Sequence, residues 1–465
     1  MGTLAEEELS FSKLQPVHSM APLRCDQMKR AEGALLEARK RYVAANPVSS
    51  SLHQKALEHL PGGNSRTVLY SAPFPLSMVS GQDSVLTDED GHKYTDLVGE
   101  FSAGLYGHSE PLIHDAIRAT LTDTGLNLGA HTQHEVEYAS LLCSRFNLEN
   151  VRFCNSGTEA NIHALMLARA FTKKRKFVAF TGGYHGGVLC FREKPAMNTI
   201  NDMDFMIAEY NNIEAATSAI EGSSDVAAVI IEGMQGASGN ILGGEAFLHA
   251  VEASARKVGA VFILDEVLTS RLAPGGLQSI SSLKPDITTL GKYLGGGLAF
   301  GALGGRREIM SAFDPRSPTA LPHSGTFNNN TLVMRAGFTG LSRVYTPEKA
   351  VAFNRNGETL LRRLQELCKG TQCVWTGRGS LLAVHFLPTG RTNIRSIADL
   401  KENESLKELF WLEMMECGFW TARRGSIAIM LCTPQPELDR FYRSVEQFLA
   451  RYPEILVLEN TLSKM

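Results

Sequence analysis

Five short stretches hold the side chains best suited to chemistry. In VRFCNSGTEAN an apolar run ends at Asn155-Ser156-Gly157-Thr158, and a helical pattern opens at Glu159-Ala160-Asn161. A helix N-terminus offers unpaired N–H groups and about half a positive charge, so a phosphate dianion suits it, with the Ser156 and Thr158 hydroxyls adding bonds. Ordinary capping by the same residues is the competing explanation. TGGYHGG, at 181–187, follows the apolar run KFVAF. Its glycines admit a flat ligand, Tyr184 can stack on an aromatic ring and His185 can orient its neighbours; a glycine-rich turn with two exposed aromatics is the alternative.

AVFILDEVLTSR sets Asp265 and Glu266 at the end of a thoroughly apolar run, where an unpaired carboxylate is costly to bury. A cation is therefore expected against Asp265. A protonated pyridine nitrogen meets that need, since opposite charges about 4 Å apart attract by about 4 kcal/mol at an effective dielectric of roughly 20; magnesium or an arginine meets it as well. TTLGKYLGGG places Lys292 after another apolar run. Desolvation there lowers an amine's pKa and makes it nucleophilic enough to form an imine. The glycines follow the lysine, so the order GxxxxGK[ST] of a nucleotide-binding loop is absent. LPHSGTFNNN, at 321–330, gathers Ser324, Gly325, Thr326 and three asparagines. These donors either reach a phosphate, in this subunit or across a dimer interface, or make a polar interdomain loop.

The elements that must position these groups follow from pattern. A chain of 465 residues, 43% hydrophobic and 20% charged, is long enough for two domains with large cores. From about 110 to 307, apolar runs of four to six residues (VRFCN, KFVAF, VAAVIIE, AVFILDE, ITTLG) alternate with helical stretches. Runs apolar on both faces suit a mostly parallel sheet with helices on both faces, whose ligands gather at the carboxyl ends of the strands. The expected organisation is a leader over 1–27, helices and a small antiparallel meander over 28–109, a large α/β domain over 110–344 and a small α+β domain over 345–465. In the last, PEKAVAFNRNGETLLRRLQEL, a stretch near Leu406 to Cys417 and PELDRFYRSVEQFLARY read as helices, and LLAVHFL as a strand.

Composition narrows the function classes. A net charge of -3 supplies no field for nucleic acid or an anionic membrane, and no apolar run reaches the roughly 18 residues of a spanning helix. The eight cysteines lack any CxxC or zinc-like spacing, so no metal is expected and the thiols read as reduced. The acidic N-terminus has no apolar signal core, which leaves a cytoplasmic location as the expectation.

Taken together, LPGGNSRTVLYSAPFPL, CNSGTEAN, GGYHGGV, MQGASG, LDEVLTSRLAPGGL, TTLGKYLGGG and HSGTFNNN resemble the class III aminotransferases dependent on pyridoxal 5'-phosphate (PLP). These have fold type I, and the similarity is to the branch with glutamate-1-semialdehyde aminomutase, most of all to β-phenylalanine (β-amino acid) aminotransferases. The resemblance runs from about Leu60 to near the C-terminus and implies a homodimer with active sites at its interface. It implies that Lys292 carries the cofactor as a Schiff base and that Asp265 pairs with the pyridine nitrogen. Tyr184 then covers one ring face and Val267 the other, while Ser156, Gly157 and Thr158 hold the phosphate, helped by Thr326 of the partner subunit. Arg66 and Arg424 stand where this branch grips carboxylates, and Arg423 beside Arg424 competes for that assignment.

The implied reaction moves an amino group from an amino acid, best an aromatic β-amino acid such as β-phenylalanine, to a keto acid such as 2-oxoglutarate or pyruvate. A 2,1-aminomutase and a non-catalytic PLP-binding protein are the alternatives. One departure stands out: Glu232-Gly233 replaces the family's Glu-Pro, which leaves the position of Glu232 open.

Overall fold

The computed structural model describes residues 25–126, 128–191 and 204–458. The expected leader lies outside the described residues except for its last three, which already belong to the helix Cys25–Ala45. A second helix, Pro47–Leu57, follows. The strands β1 (Met78–Gln82), β2 (Val85–Asp88) and β3 (Lys93–Asp96) then form the antiparallel meander that the alternating pattern predicts. Gly91, at φ +90, closes the turn between β2 and β3 in a region of backbone space open to glycine.

The central sheet uses β4 (Asn150–Cys154), β5 (Lys176–Phe180), β6 (Phe205–Ala208) and β7 (Val226–Glu232). A short hairpin, β8 (Met234–Gln235) with β9 (Ile241–Leu242), leaves its end. The sheet resumes with β10 (Val261–Asp265), β11 (Ile287–Gly291) and β12 (Gly301–Gly305). The order is β4-β12-β11-β10-β7-β5-β6. All neighbours are parallel except β12, which runs antiparallel to β11 and β4. Every residue of β7, β10 and β11 is buried because helices cover both faces. Ile230, Ile263 and Leu303 pack on one side with Leu165, and Val229, Phe262 and Leu264 on the other with Phe247.

Two strands escape the apolar-run pattern. FMIA of β6 is short, and GALGG of β12 is mostly glycine. In β12 the glycines answer a steric need: a Cβ at Gly304 would stand 2.6 Å from the Asn150 carbonyl oxygen, and one at Gly301 would collide with that of Ser156.

Beyond the helix Pro347–Leu367, β13 (Cys373–Arg378) and β14 (Leu381–Phe386) pair antiparallel. The helix Glu404–Glu416 leads to β15 (Phe419–Trp420) and β16 (Ser426–Ala428). β16 joins β14, while β15 runs parallel to β3 and so extends the N-terminal meander. The helix Gln435–Arg451 completes this region. Ala31, Leu35, Ala38 and Tyr42 of the first helix share one core with Phe410, Trp411 and Phe441, so the two ends of the chain pack together. Among the described residues no helix is long and apolar enough to cross a membrane.

Candidate active site

A buried polar network closes the carboxyl ends of the central strands. Asp265, the last residue of β10, lies in register with Glu232 of β7 and Thr289 of β11. Its Oδ2 accepts from Asn161 Nδ2 at 2.8 Å and meets His185 Nδ1 at 2.8 Å, and its Oδ1 accepts from the Val267 amide at 3.0 Å. Thr289 donates to Asn161 Oδ1 at 2.7 Å, which turns the amide nitrogen of Asn161 toward Asp265. The neighbouring Glu266 faces the other way. Burial pushes it up to about 7, and it accepts from Thr269 and from the backbone amides of Leu277 and Gln278 at 2.5, 3.2 and 2.6 Å. Strand alternation thus divides the acid pair between the site and the scaffold.

Lys292 begins a one-turn 3-10 segment after β11 with a left-handed φ of +56. The residue is only partly buried, yet desolvation dominates and lowers its pKa to about 8. Asp265 and Glu232 work against that shift, while Arg424 and Arg271 reinforce it. The glycines after the lysine let this turn approach its surroundings. A Cβ at Gly295 would sit 2.7 Å from the Phe300 side chain, and one at Gly296 2.6 Å from the Ala336 backbone.

At the third corner the helix Gly157–Thr172 begins after Ser156, whose hydroxyl accepts from the Glu159 amide at 3.1 Å, while Glu159 accepts from the Asn155 amide at 2.9 Å. Capping is therefore realised here. It satisfies the Glu159 amide and leaves the helix dipole at Gly157 and Thr158 directed outward. A Cβ on Gly157 would stand 2.8 Å from Val267, and one on Gly291 3.3 Å from the same side chain, so Val267 is wedged between the segment of Ser156 and that of Lys292. Thr158 lies directly against Gly186, which joins the TGGYHGG loop to the same corner.

Glu232, left open by the sequence, is fixed by its neighbours. Its carboxylate accepts from the Tyr184 amide at 2.9 Å and the Gly236 amide at 3.2 Å, and its carbonyl accepts from the Tyr210 hydroxyl at 2.8 Å. Burial raises its pKa, His185 opposing and Asp265 adding to the shift. Gly233 abuts Leu277 so closely that a side chain there would collide with it. Tyr184 keeps an exposed ring. Thr326 is exposed as well, although its loop is tied back by Asn155 donating to Asn328 at 2.9 Å.

The two arginines come from distant segments and converge on Phe101. The Arg66 guanidinium carbon lies 5.9 Å from the ring centre and that of Arg424 5.1 Å. Arg424 also acts on the charge of Lys292, whereas Arg423 is engaged elsewhere, bonding Glu408 at 2.7 Å. Of the two neighbours, Arg424 therefore lies against Phe101 and Arg423 against Glu408. Phe101 belongs to the turn Gly99–Ser102, whose four residues have φ of +50, +49, +53 and +79. Left-handed backbone costs about 1–2 kcal/mol per non-glycine residue. The turn is held by Asp96, which accepts from the Val98 and Gly99 amides at 2.7 and 3.0 Å. The fully buried Arg271 adds bonds to the Ser102 and Ile429 carbonyls.

Motif reading did not assign roles to Asn161, Thr289, Glu100, Phe101 and Arg271. Asn161 had a usable signal, since it lies one helical turn after Gly157 within CNSGTEAN. Nothing in GEFSAG announces a left-handed turn.

Similarity to known proteins extends over most of the chain. The family Aminotransferase class-III matches residues 70–434. An uncharacterized aminotransferase of Schizosaccharomyces pombe is 48% identical over 412 residues, covering 88% of this chain and 94% of that protein. The β-phenylalanine transaminase of Variovorax paradoxus is 43% identical over 432 residues, 92% of this chain and 98% of the relative. The crystal structure of a β-phenylalanine aminotransferase from that organism superposes with a TM-score of 0.89 at 42% identity, covering 92% of this chain and 99% of the other. A glutamate-1-semialdehyde 2,1-aminomutase of Clostridium kluyveri is 30% identical over 86% of this chain and 100% of its own length.

Proposed function

The chain belongs to the class-III aminotransferases, PLP-dependent transaminases of fold type I, and from that premise we propose that it transfers the amino group of an aromatic β-amino acid such as β-phenylalanine to a keto acid such as 2-oxoglutarate or pyruvate. The observation that carries the reading is the convergence of Arg66 and Arg424 on Phe101, with Arg424 close enough to act on Lys292. Two guanidinium groups, each suited to a carboxylate, thus lie against one aromatic ring. The 43% identity to a β-phenylalanine transaminase supports it.

The donor set suits the family's cofactor. A buried acid held by three donors matches a protonated ring nitrogen, an amine lowered to about 8 matches an aldehyde, and the helix N-terminus after Ser156 matches a phosphate. When bound, PLP supplies an electron sink for the substrate carbon that bears the amine. Lys292 would be the amine that holds the cofactor, and its free Nζ would carry the proton from that carbon. Asp265 keeps the ring nitrogen protonated, and His185 and Asn161 keep Asp265 aimed. Ser156, Gly157 and Thr158 hold the phosphate with Thr326 of the partner subunit, and Tyr184 and Val267 enclose the ring. Arg66 and Arg424 grip the carboxylates of donor and acceptor in turn, each with a planar fork suited to bidentate bonds.

In this reading the enzyme is a homodimer, and its free thiols, among the described residues, suit a reducing compartment such as the cytoplasm. The test is a half-reaction on purified holoenzyme. β-Phenylalanine should bleach the cofactor absorbance, 2-oxoglutarate or pyruvate should restore it, and borohydride should fix a pyridoxyl group on Lys292. Bleaching by α-amino acids alone would overturn the donor. Turnover without any added keto acid would point to the aminomutase reading, which the likeness to the Clostridium kluyveri enzyme keeps in view.

A further inference from the structure

Arg66 already holds a carboxylate. Its Nη2 lies 2.8 Å from Glu100 Oε1, and both side chains are about half exposed, at 48% and 56%. Ion pairs that exposed are weak and readily exchanged, so this one adds little to the fold. Yet Glu100 is presented by the strained turn Gly99–Ser102, every residue of which has positive φ. Gly99 has no room for a side chain, because a Cβ there would stand 2.8 Å from the Ala428 carbonyl oxygen, and the buried Arg271 clamps the far end at Ser102. Backbone strain persists only where its surroundings over-determine it, and it concentrates at working sites. The same turn aims Phe101 at both arginines. An internal carboxylate and an aromatic ring therefore stand beside Arg66 together, the two features of an aryl-bearing acid.

Building on the reading of Arg66 as the donor's carboxylate site, we propose that Glu100 is a resident competitor, an internal carboxylate that occupies Arg66 until the substrate's carboxylate displaces it. Glu100 is thus a specificity-determining residue. It weakens, by the same amount, the binding of every acid whose carboxylate uses Arg66, and so sets acids apart from carboxylate-free amines. An acid that also lays an aromatic body on Phe101 gains enough to exchange with it. Carboxylate-free amines have no part in the exchange and do not feel Glu100.

Calorimetric titration of the holoenzyme with 3-phenylpropanoate, which has the aryl group and carboxylate but no amine, tests this without turnover. Replacing Glu100→Gln should tighten binding by about two- to five-fold, the range of an exposed ion pair. Glu100→Gly, which suits the left-handed backbone, should act in the same direction. The KM for β-phenylalanine should fall in parallel while that for 1-phenylethylamine does not. Arg66→Ala should weaken the same probe by about tenfold or more. If the probe does not bind, or Arg66→Ala leaves its binding unchanged, the carboxylate site itself is wrong and this inference falls with it. If Arg66→Ala weakens binding but neither Glu100 variant tightens it, the competitor role alone is overturned.

Discussion

Two sets of polar and charged groups make up the candidate site, and they are held in opposite ways. Asp265, Asn161, His185 and Thr289 are all buried. Asp265 and Thr289 sit on strands whose register is fixed by the sheet, Asn161 on the helix Gly157–Thr172 and His185 on the glycine-rich loop after β5, and each bond in the set is 2.7 to 3.0 Å. Arg66 and Glu100 are half exposed and lie on segments outside the sheet. In the first set, leaving a polar group unpaired costs the full desolvation penalty, so the geometry is rigid before any ligand arrives. In the second, water can take the place of either partner, so the groups can exchange one carboxylate for another. Under the proposed function, the chemistry common to many substrates falls to the buried set and the selection between substrates to the exposed one.

The largest expected effects break the rigid set. Lys292→Ala should lower the turnover number by roughly four orders of magnitude, at the upper end of what a positioned proton-transfer group contributes, and borohydride should no longer fix the cofactor to the protein. Asp265→Asn keeps the shape and removes the charge. It should cost about 10²–10³ in turnover, the scale of one preorganised electrostatic contact, with KM little changed. If Asp265→Asn instead raised KM with turnover intact, the buried acid would be binding substrate, and the division between the two regions would fail.

The exchangeable set should respond differently. Arg66→Ala removes charge-assisted bonds worth about 1.5–3 kcal/mol, so the KM for β-phenylalanine should rise about ten- to a hundredfold with a much smaller change in turnover, the pattern of lost uniform binding. Steady-state kinetics with β-phenylalanine and a carboxylate-free amine side by side sharpen the contrast, since only the acid should respond.

The same division explains what could be read from the residues alone. Five central strands, the meander, the long helices and the strand-end placement of Ser156, Tyr184, Asp265 and Lys292 were legible, because burial on both faces writes apolar runs into the sequence. β12 was not, because its glycines report a close approach to Ser156 and Asn150 that only the folded chain reveals. Arg66 was reached through likeness to a family, while its partner Glu100 was not reached at all. The two stand 34 positions apart in sequence, and the turn that joins them depends on Arg271, buried far along the chain. Exposed, exchangeable contacts leave no periodic trace, so the substrate side is where sequence pattern falls silent.

The smallest expected effect separates two adjacent arginines. Arg424 faces Phe101, and Arg424→Ala should raise the KM for the keto acid. Arg423 faces Glu408, a buried carboxylate that Arg39 already grips through two bonds of 2.6 and 2.9 Å. Burial pushes Glu408 upward, but the bonds from Arg39 and Arg423 outweigh it and hold the carboxyl below its usual 4.5. Removing Arg423 leaves the bidentate Arg39 contact, so Arg423→Ala should lower unfolding stability by only about 0.5–1 kcal/mol at pH 7 and leave both KM values unchanged. A carboxyl held low when folded contributes its stability above the unfolded value and loses it as pH falls through the folded one. The gap between wild type and Arg423→Ala in denaturant unfolding should therefore be constant from pH 6 to 8 and close below about pH 4. A shift in the KM for either substrate on losing Arg423 would place that arginine in the exchangeable set and redraw the boundary between the two regions.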